Sequence, residues 1–396
     1  MTKLRKIAGG VCAPKGFVAS AASAGIKYPV GTRDDMALVA GTGACVAAAT
    51  FTTNKVKAAP VLVSMEHLKS KSCRAVILNS GNANACTGQP GIANARAMCE
   101  ATAAGLGVKP AEVLVCSTGR IGVQLPIGKM VAKIPELVAK LDGKSSKAAA
   151  AAIMTSDTVQ KEAAREFVSG GRKYRVGGIA KGAGMIDPNM ATMLCVITTD
   201  AAFSKAELKQ KLKLAVERSF NRITVDGDMS TNDTVILLAS GVQGRPADDA
   251  FQAALDAVAH DLAMKIVLDG EGVSRFVEVE VRGAKSEKDA RLAAEAIANS
   301  TLTKCAWAGG DPNWGRILDA AGYSGAALDP DKVSIDYDRV AAVRNGMPAK
   351  TPFSKLQTVA AKKAFKVTVD LHLGKAGYTV YTTDLTEAYV NFNLGE

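Results

Sequence analysis

The sequence predicts an α/β (α+β) protein built from two domains. Fully apolar runs end in small polar residues, as buried strands that lead into turns do. Segments with helical spacing and capping signals alternate with these runs. Beyond about residue 275 the pattern changes to strict alternation of apolar and charged residues. That change predicts half-exposed strands and a smaller α+β C-terminal domain.

We place the boundary so that the first domain covers residues 1–275 and the second covers 276–396. Four apolar runs predict buried strands in the first domain, at residues 75–78, 113–116, 193–197 and 235–238. Alternation predicts strands in the second domain at 277–281, 333–337, 366–373 and 378–382, together with a helix over 286–299.

Helices and a loop of the first domain are predicted from caps, propensity and glycine content. Pro135 suits a first helical turn, and the alanine-rich sequence behind it predicts a helix over 135–167. Ser204 and Glu207 form a capping box, which predicts a helix that begins there. The glycine-rich stretch from 168 to 188 predicts an exposed loop of unusual backbone conformation.

The composition is that of an ordinary globular protein. The chain has 396 residues, of which 48% are hydrophobic and 5% aromatic, which excludes disorder and collagen-like structure. No run approaches the roughly 20 apolar residues of a membrane span, and the N-terminus lacks the apolar core of a secretory signal. We therefore expect a cytoplasmic protein without a membrane partner. Eight scattered cysteines and three distant histidines indicate no metal site.

Familiar motifs for nucleotides, zinc proteases and serine hydrolases are missing from the sequence. The stretch from Asp226 to Asp233 is rich in oxygen ligands, but an EF-hand loop needs a glutamate at its twelfth position, where Leu237 stands. We therefore interpret this stretch as a loop and not as a cation site.

The most informative segment runs from Lys181 to Leu194. One interpretation is that Thr192 only begins a strand, because β-branched residues favour strands. The other is that a tight turn presses the Thr192 hydroxyl against the Ala191 carbonyl, so that an N-to-O acyl shift cleaves the chain. Cleavage frees an α-amine with an unperturbed pKa of roughly 7.7 to 8.0. An N-terminal threonine then carries nucleophile and base without any histidine.

Ordered blocks along almost the whole chain resemble the ornithine acetyltransferase family, also called glutamate N-acetyltransferase or the bifunctional arginine-biosynthesis enzyme. The blocks are Asn79-Ser80-Gly81-Asn82-Ala83-Asn84, Ser117-Thr118-Gly119, Pro188-Asn189-Met190-Ala191-Thr192-Met193-Leu194, Asn232-Asp233-Thr234 and Gly309-Gly310-Asp311-Pro312-Asn313-Trp314-Gly315-Arg316. The resemblance implies an αββα sandwich of the ornithine acetyltransferase/aminopeptidase type, with a smaller α+β C-terminal domain.

The resemblance also implies a self-cleaving enzyme of the cyclic arginine pathway. Cleavage between Ala191 and Thr192 gives an α segment, 1–191, and a β segment, 192–396, which the family assembles as α2β2. Thr192 accepts acetyl from N-acetylornithine and passes it to glutamate in a ping-pong cycle. No cofactor is implied, and the use of acetyl-CoA as a second acetyl donor stays open.

The remaining site residues follow by position from the resemblance. Thr118 and Gly119 match the family's oxyanion-hole pair. The substrate-binding positions fall, besides Thr192, on Thr155, Lys181, Glu271 and Asn393. A lysine suits a substrate carboxylate, and a glutamate suits a substrate ammonium group.

Two features depart from the family pattern. Only three residues follow Asn393, where the family continues to a terminal serine or threonine contact, which puts the tail's share of substrate binding in doubt. Asp187 stands where many members have a small residue. Its carboxylate is expected either to slow self-cleavage or to raise the pKa of the freed amine.

Two other functions are considered. A related N-terminal-nucleophile aminopeptidase or amidase would release the acyl group to water instead of glutamate. The net charge of +11 would suit nucleic acid, but few aromatics and no recognisable binding module argue against that partner. Residues 1–191 carry a net charge of +14 and residues 192–396 a net charge of −3, which favours attraction between the two segments.

Overall fold

The computed structural model describes residues 3–187 and 193–394. The chain forms two compact units. The first comprises Met1–Gly182, Asn189–Asn221 and Met229–Ile266, and the second comprises Ala183–Pro188, Arg222–Asp228 and Val267–Glu396. Two short segments that precede the predicted boundary therefore belong with the C-terminal part of the chain.

The described part of the first unit contains two sheets that share one long strand. Its strands are β1 Arg5–Lys6, β2 Phe17–Ala22, β3 Met36–Phe51, β4 Cys73–Asn79, β5 Val113–Ser117, β6 Lys161–Ser169, β7 Arg172–Lys181, β8 Leu194–Thr199 and β9 Thr234–Ala239. The first half of β3 pairs with β2 and β4, and its second half pairs with β9. Sheet I has the order β1-β6-β7-β8-β9-β3, and sheet II has the order β2-β3-β4-β5.

Helices cover the outer faces of both sheets. The helices of the described part of this unit are α1 Ala59–His67, α2 Gly88–Leu106, α3 Ile127–Ala139, α4 Ser146–Ala152, α5 Lys205–Glu217 and α6 Asp248–Leu268. Of these, α4 does not lie on an outer face, because Ala149, Ala150 and Ala152 pack in the core between the sheets. Val76 and Leu78 of β4 lie in the core between the two sheets, whereas Ala75 and Ile77 lie in the core under α1–α3. On the far side, Leu262 of α6 packs against β7. The layers are helix, sheet, sheet and helix, so the predicted αββα sandwich is confirmed.

Local signals predicted several of these elements correctly. The four apolar runs of the first domain correspond to β4, β5, β8 and β9. Ser204 caps α5 by accepting a hydrogen bond from the Glu207 amide, and the Glu207 carboxylate accepts one from the Ser204 amide. Both halves of the predicted capping box are therefore formed.

The predicted helix over 135–167 is wrong. Pro135 lies inside α3, which begins earlier, at Ile127, and a second short helix, α4, follows. From Lys161 the chain forms β6, which pairs with β7 along its whole length. The alanines and glutamates of this stretch have good helix propensity, but pairing inside the sheet outweighs that local preference.

The predicted glycine-rich loop is also wrong over most of its length, because residues 172–181 form β7. Gly170 and Gly171, with φ of +55° and +74°, make the turn between β6 and β7. Within β7, a Cβ on Gly177 would lie 1.9 Å from the Gly10 carbonyl oxygen. The strand glycines therefore allow close packing of neighbouring backbone and do not form a flexible loop.

The second unit is built on a mixed sheet of the order β13-β12-β11-β14-β10-β15. Its strands are β10 Phe276–Ala284, β11 Ser334–Tyr337, β12 Val340–Arg344, β13 Met347–Pro348, β14 Ala364–Asp370 and β15 Ala376–Thr383, and its helices are α7 Glu287–Asn299, α8 Thr301–Ala308, α9 Trp314–Tyr323, α10 Phe353–Ala360 and α11 Glu387–Phe392. Val277, Val279 and Val281 of β10 are fully buried in its core, which confirms the predicted alternation.

No helix within residues 3–187 and 193–394 combines the length and the apolar character needed to cross a bilayer.

Candidate active site

Polar residues of the first unit converge where four strands of sheet I meet at one end. Lys181, the last residue of β7, pairs with Leu194 of β8. Leu194 also pairs with Thr234 of β9, and Thr234 pairs with Phe51 of β3. The predicted cleavage residues Ala191 and Thr192 lie outside the described residues. Met193, the residue after Thr192, directly precedes Leu194 in this row.

The turn that carries Thr118 and Gly119 follows β5 and has tight steric requirements. Gly119 has φ of +131°, and a Cβ there would lie 2.3 Å from the Gly81 carbonyl carbon and 2.4 Å from the Asn82 amide nitrogen. Only glycine fits this approach. The Thr118 amide donates to the Asn79 carbonyl at 3.0 Å, which fixes the other residue of the pair.

Buried asparagine side chains connect this turn to the loop before β9. The Ser117 hydroxyl donates to Asn79 Oδ1 at 2.6 Å, and Asn79 Nδ2 donates to the Asn82 carbonyl at 2.9 Å. Asn232 Nδ2 donates to the Ser117 carbonyl at 2.8 Å and to the Ala83 carbonyl at 2.7 Å. Because each acceptor is buried, loss of a donor would leave an unpaired polar group. The asparagine network therefore holds the Thr118–Gly119 turn rigidly.

Asp233 lies beside the residue that follows the predicted nucleophile. Its Oδ1 accepts from the Met193 amide at 2.9 Å, while its fully buried Oδ2 has no hydrogen-bond partner among the described residues. The nearby Thr52 hydroxyl donates to the Ser230 carbonyl instead. Burial raises the pKa of Asp233 well above its usual range, although the Met193 amide and the Lys181 charge oppose that rise.

Thr155 and Lys181 are brought together by a residue that the sequence analysis missed. Asp157 Oδ2 accepts from the Thr155 amide at 3.0 Å and lies 3.9 Å from Lys181 Nζ. Its Oδ1 accepts from Lys161 Nζ at 2.5 Å and from the Gly182 amide at 2.7 Å. Burial raises the pKa of Asp157, but the charges of Lys181 and Lys161 outweigh that effect and bring the pKa to about 2.

The second unit brings Glu271 and Asn393 together. Asn393 Nδ2 donates to Glu271 Oε2 at 3.2 Å, and the Glu271 amide donates to the Ala183 carbonyl at 3.0 Å. A Cβ on Gly184 would lie 2.5 Å from the Glu271 carboxylate, so this carboxylate packs directly on the glycine backbone. Two predicted substrate-binding residues that are 122 positions apart in sequence thus share one hydrogen bond.

The acidic stretch from 226 to 233 is divided between the two units. Asp226 accepts from the Met185 and Ile186 amides at 2.7 and 2.8 Å, and from the Tyr389 hydroxyl at 3.2 Å. It therefore anchors the segment that precedes the predicted cleavage site. Within residues 3–187 and 193–394, no three histidine, cysteine, aspartate or glutamate side chains are grouped so that they could hold a metal ion.

Asp187 is half-buried beside Asn299, whose Nδ2 donates to Asp187 Oδ1 at 3.0 Å. Burial is the main cause that raises its pKa to about 7, and the neighbouring carboxylates of Glu295, Asp226 and Asp228 add to the rise. The hydrogen bond from Asn299 acts in the opposite direction. The Asp187 carboxyl is thus partly protonated near neutral pH.

Asp157 and Asp233 are the residues whose local roles the sequence reasoning did not find. The sequence places Asp233 only within the acidic stretch and the Asn232-Asp233-Thr234 block, and it indicates no role for Asp157. The available signal for Asp157 was its place between Thr155 and Lys161 in a short polar stretch before β6. That signal is weak, because the partner lysines become neighbours only when β6 and β7 pair.

The layered fold and the buried polar groups at one end of its sheets define an enzyme of the αββα-sandwich type. The chain belongs to the ArgJ family, whose model matches residues 18–395. The resemblance to this family inferred from the sequence is therefore confirmed.

Similar proteins cover nearly the whole chain. The "Arginine biosynthesis bifunctional protein ArgJ" of Geobacter sulfurreducens is 51% identical over 387 residues, which cover 96% of this chain and 98% of that protein. The "Glutamate N-acetyltransferase" of Methanothermobacter thermautotrophicus is 44% identical over 402 residues, which cover 99% and 98%. The crystal structure of the Bacillus halodurans bifunctional protein ArgJ is 36% identical, with a TM-score of 0.46, and covers 48% of this chain and 100% of that chain.

Proposed function

We propose that this chain cleaves itself between Ala191 and Thr192 and then transfers acetyl from N-acetylornithine to glutamate through an acetylated Thr192. Membership of the ArgJ family and the names of its relatives support this activity. The observation that carries the proposal is the fixed end of sheet I. In the loop before β9, Asp233 accepts from the amide of Met193, and Asn232 donates to the carbonyl of Ser117, which directly precedes the Thr118–Gly119 turn after β5 of sheet II.

The first half-reaction needs one nucleophile, one base and an oxyanion site. The freed α-amine of Thr192 takes the hydroxyl proton as the Thr192 oxygen attacks the acetyl carbonyl carbon of N-acetylornithine. The oxyanion that forms is stabilised by donors of Thr118 and Gly119. When the C–N bond breaks, the proton moves to the departing nitrogen, and ornithine leaves behind an acetyl ester on Thr192.

The second half-reaction reverses these steps with glutamate. Its amine attacks the ester carbonyl, the same oxyanion donors stabilise the intermediate, and the Thr192 oxygen regains its proton as N-acetylglutamate leaves. Both half-reactions use only groups of the protein and the substrates, so the proposed chemistry requires no cofactor. We also propose acetyl-CoA as a second acetyl donor to glutamate.

Substrate binding is proposed for four further residues. Lys181 offers a nearly buried ammonium group to a substrate carboxylate. The Thr155 amide donates to Asp157, the same aspartate that Lys181 contacts. Glu271 offers a carboxylate to a substrate ammonium group, and Asn393 is its hydrogen-bond partner. We also propose that the cleaved segments stay together as α2β2 and that the enzyme works in the cytoplasm.

The proposal is tested by mass spectrometry and an acetyl-transfer assay on purified protein. The wild type should show two chains that meet between Ala191 and Thr192, and it should convert N-acetylornithine and glutamate into ornithine and N-acetylglutamate. Thr192→Ala should remain one intact, inactive chain, whereas Thr192→Ser, which keeps a hydroxyl, should cleave and retain part of the activity. An active, uncleaved Thr192→Ala protein would refute the mechanism.

The same assay separates a transferase from an amidase. If water deacylates Thr192, N-acetylornithine is consumed at the same rate without glutamate and releases acetate. If glutamate is the acceptor, omitting it stops turnover after one acetyl group per active site. An assay with acetyl-CoA in place of N-acetylornithine tests the second donor.

A further inference from the structure

A buried carboxylate, Asp157, organises the surroundings of Lys181. Its side chain is 0% exposed, as is that of Lys161, and the Lys181 side chain is 3% exposed. Four donors surround the two carboxylate oxygens: the amides of Thr155 and Gly182 and the ammonium groups of Lys161 and Lys181.

The four donors are divided between the two oxygens in a way that separates two roles. Oδ1 accepts from Lys161 and Gly182, at 2.5 and 2.7 Å, which ties β6 to the end of β7. Oδ2 accepts from the Thr155 amide and faces Lys181 Nζ. A purely structural ion pair would need only the Lys161 contact. The second oxygen instead touches two residues that are proposed to bind substrate.

The charge of Asp157 compensates for the burial of the Lys181 ammonium group and holds it in place. A buried ammonium group tends to lose its proton unless an anion compensates for its lost hydration. Because Asp157 is ionised throughout the neutral range, it supplies that anion. At 3.9 Å the contact is longer than a direct hydrogen bond, so it acts through charge and not through a shared proton.

We propose that Asp157 is a positioning residue for substrate recognition: it holds the Lys181 ammonium group and the Thr155 backbone in place to receive the carboxylate of the amino-acid substrates. The inference rests on the function proposed above. Asp157 itself touches no substrate in this account. Its replacement by asparagine removes the negative charge and turns an NH2 group toward donors, so Lys181 loses both its counter-ion and its fixed place.

The experiment compares N-acetylornithine with N-acetylputrescine, which has the same acetyl group and amine but lacks the carboxylate. In Asp157→Asn, kcat/KM for N-acetylornithine should fall by at least about tenfold, mainly through KM, while kcat/KM for N-acetylputrescine stays within about threefold. The preference for the carboxylate-bearing substrate therefore collapses. A purely structural role would lower both values equally and leave their ratio unchanged, which would overturn the inference.

Asp35→Asn is the matched control. Asp35 is also a buried carboxylate of the first unit, and it accepts the Ala24 and Ile26 amides, both at 2.7 Å. Its substitution should lower stability without changing the substrate ratio.

A double-mutant cycle tests whether Asp157 acts through Lys181. Asp157→Asn should have little further effect on KM in a Lys181→Met background, because the two residues act as one unit. Additive effects in this double-mutant cycle would count against the inference.

Two further outcomes keep the test decisive. If Asp157→Asn does not fold, Asp157→Glu takes its place, since it keeps the charge but displaces it by one methylene, and the substrate ratio should again fall. An unchanged ratio in Asp157→Glu would refute the positioning role. If the wild type cleaves but transfers no acetyl group, the proposed function fails. If the wild type transfers acetyl and the variants keep its substrate ratio, only the present inference fails.

Discussion

Replacement of Asp187 by asparagine measures how a half-buried carboxyl makes the stability of the second unit depend on pH. The pKa of Asp187 rises from an ordinary value of 3.8 to about 7, first through burial and then through nearby carboxylates. Asn299 Nδ2 donates to Asp187 Oδ1 at 3.0 Å. An asparagine at this position still offers an oxygen to Asn299, so the substitution removes the titration and keeps the hydrogen bond.

The sign and size of the effect follow from linkage. Between pH 3.8 and about pH 7, the folded protein binds more protons at Asp187 than the unfolded chain does, so stability falls as the pH rises. At 1.36 kcal/mol per pKa unit the full shift corresponds to about 4 kcal/mol. Because Asp187 is partly exposed, solvent screening reduces this to roughly 2 kcal/mol. Between pH 4 and pH values above 7, the wild type should therefore lose about 2 kcal/mol of unfolding free energy that Asp187→Asn keeps.

Urea unfolding followed by tryptophan fluorescence is the appropriate assay, because both tryptophans, Trp307 and Trp314, lie in the second unit. The unfolding free energies of wild type and Asp187→Asn are compared at several pH values from 4 to 8. Asp319→Asn, an exposed carboxylate of the same unit, controls for the change in net charge. If wild type and Asp187→Asn lose stability in parallel over this range, the reasoning is refuted.

Two further predictions concern the Thr118–Gly119 turn and a buried lysine. Gly119→Ala should lower kcat by about a hundredfold or more, because a Cβ 2.3 Å from the Gly81 carbonyl carbon displaces the turn. Gly107→Ala, also at positive φ but with open space around it, should cost about 1 kcal/mol of stability and leave kcat unchanged. Burial lowers the pKa of Lys304 to about 7, so wild-type stability should rise with pH between about 7 and 10.5, and Lys304→Met should abolish that rise in urea titrations. The same variant should lose about 1 to 3 kcal/mol, because it strands the buried Thr383 carbonyl.

The elements that could be predicted from sequence are those whose signals are local. The Ser204 capping box and the alternation of β10 each involve residues a few positions apart, and both are formed as expected. Helix is wrongly predicted for residues 161–167 because the strand that pairs with them, β7, lies further along the chain. Gly177 was misread for a related reason, since its requirement is set by contact with Gly10.

The candidate site shows the same division. Family resemblance supplied the positions of Thr118, Gly119 and Lys181, but it gave no reason why they are held in place. The reasons are long-range contacts, such as the Asn232 side chain that donates to the Ser117 carbonyl and the Asp157 carboxylate beside Lys181. Such contacts leave no periodic or motif signal in the sequence, because each partner is chosen by the topology of the sheets.

The way the predicted α and β segments are interleaved decides what holds them together after cleavage. In sheet I, β8 and β9 of the β segment lie side by side, flanked by β7 and β3 of the α segment. Six residue pairs join β8 to β7, and six join β9 to β3. Val196 and Ile236 also share a buried core with Val76 of the α segment. Backbone pairing and apolar burial thus join the segments across both flanks.

This arrangement leads to a different expectation from the charge asymmetry of +14 and −3. At 1 M salt the screening length falls to about 3 Å, so an association that depended on long-range attraction would be lost. Hydrogen-bonded ladders and a buried core are insensitive to such screening. The cleaved segments should therefore coelute in gel filtration at 1 M NaCl and separate only in denaturant, with gel electrophoresis of the peak to show both chains. Separation in salt alone, with secondary structure retained, would mean that charge and not sheet pairing holds the segments together.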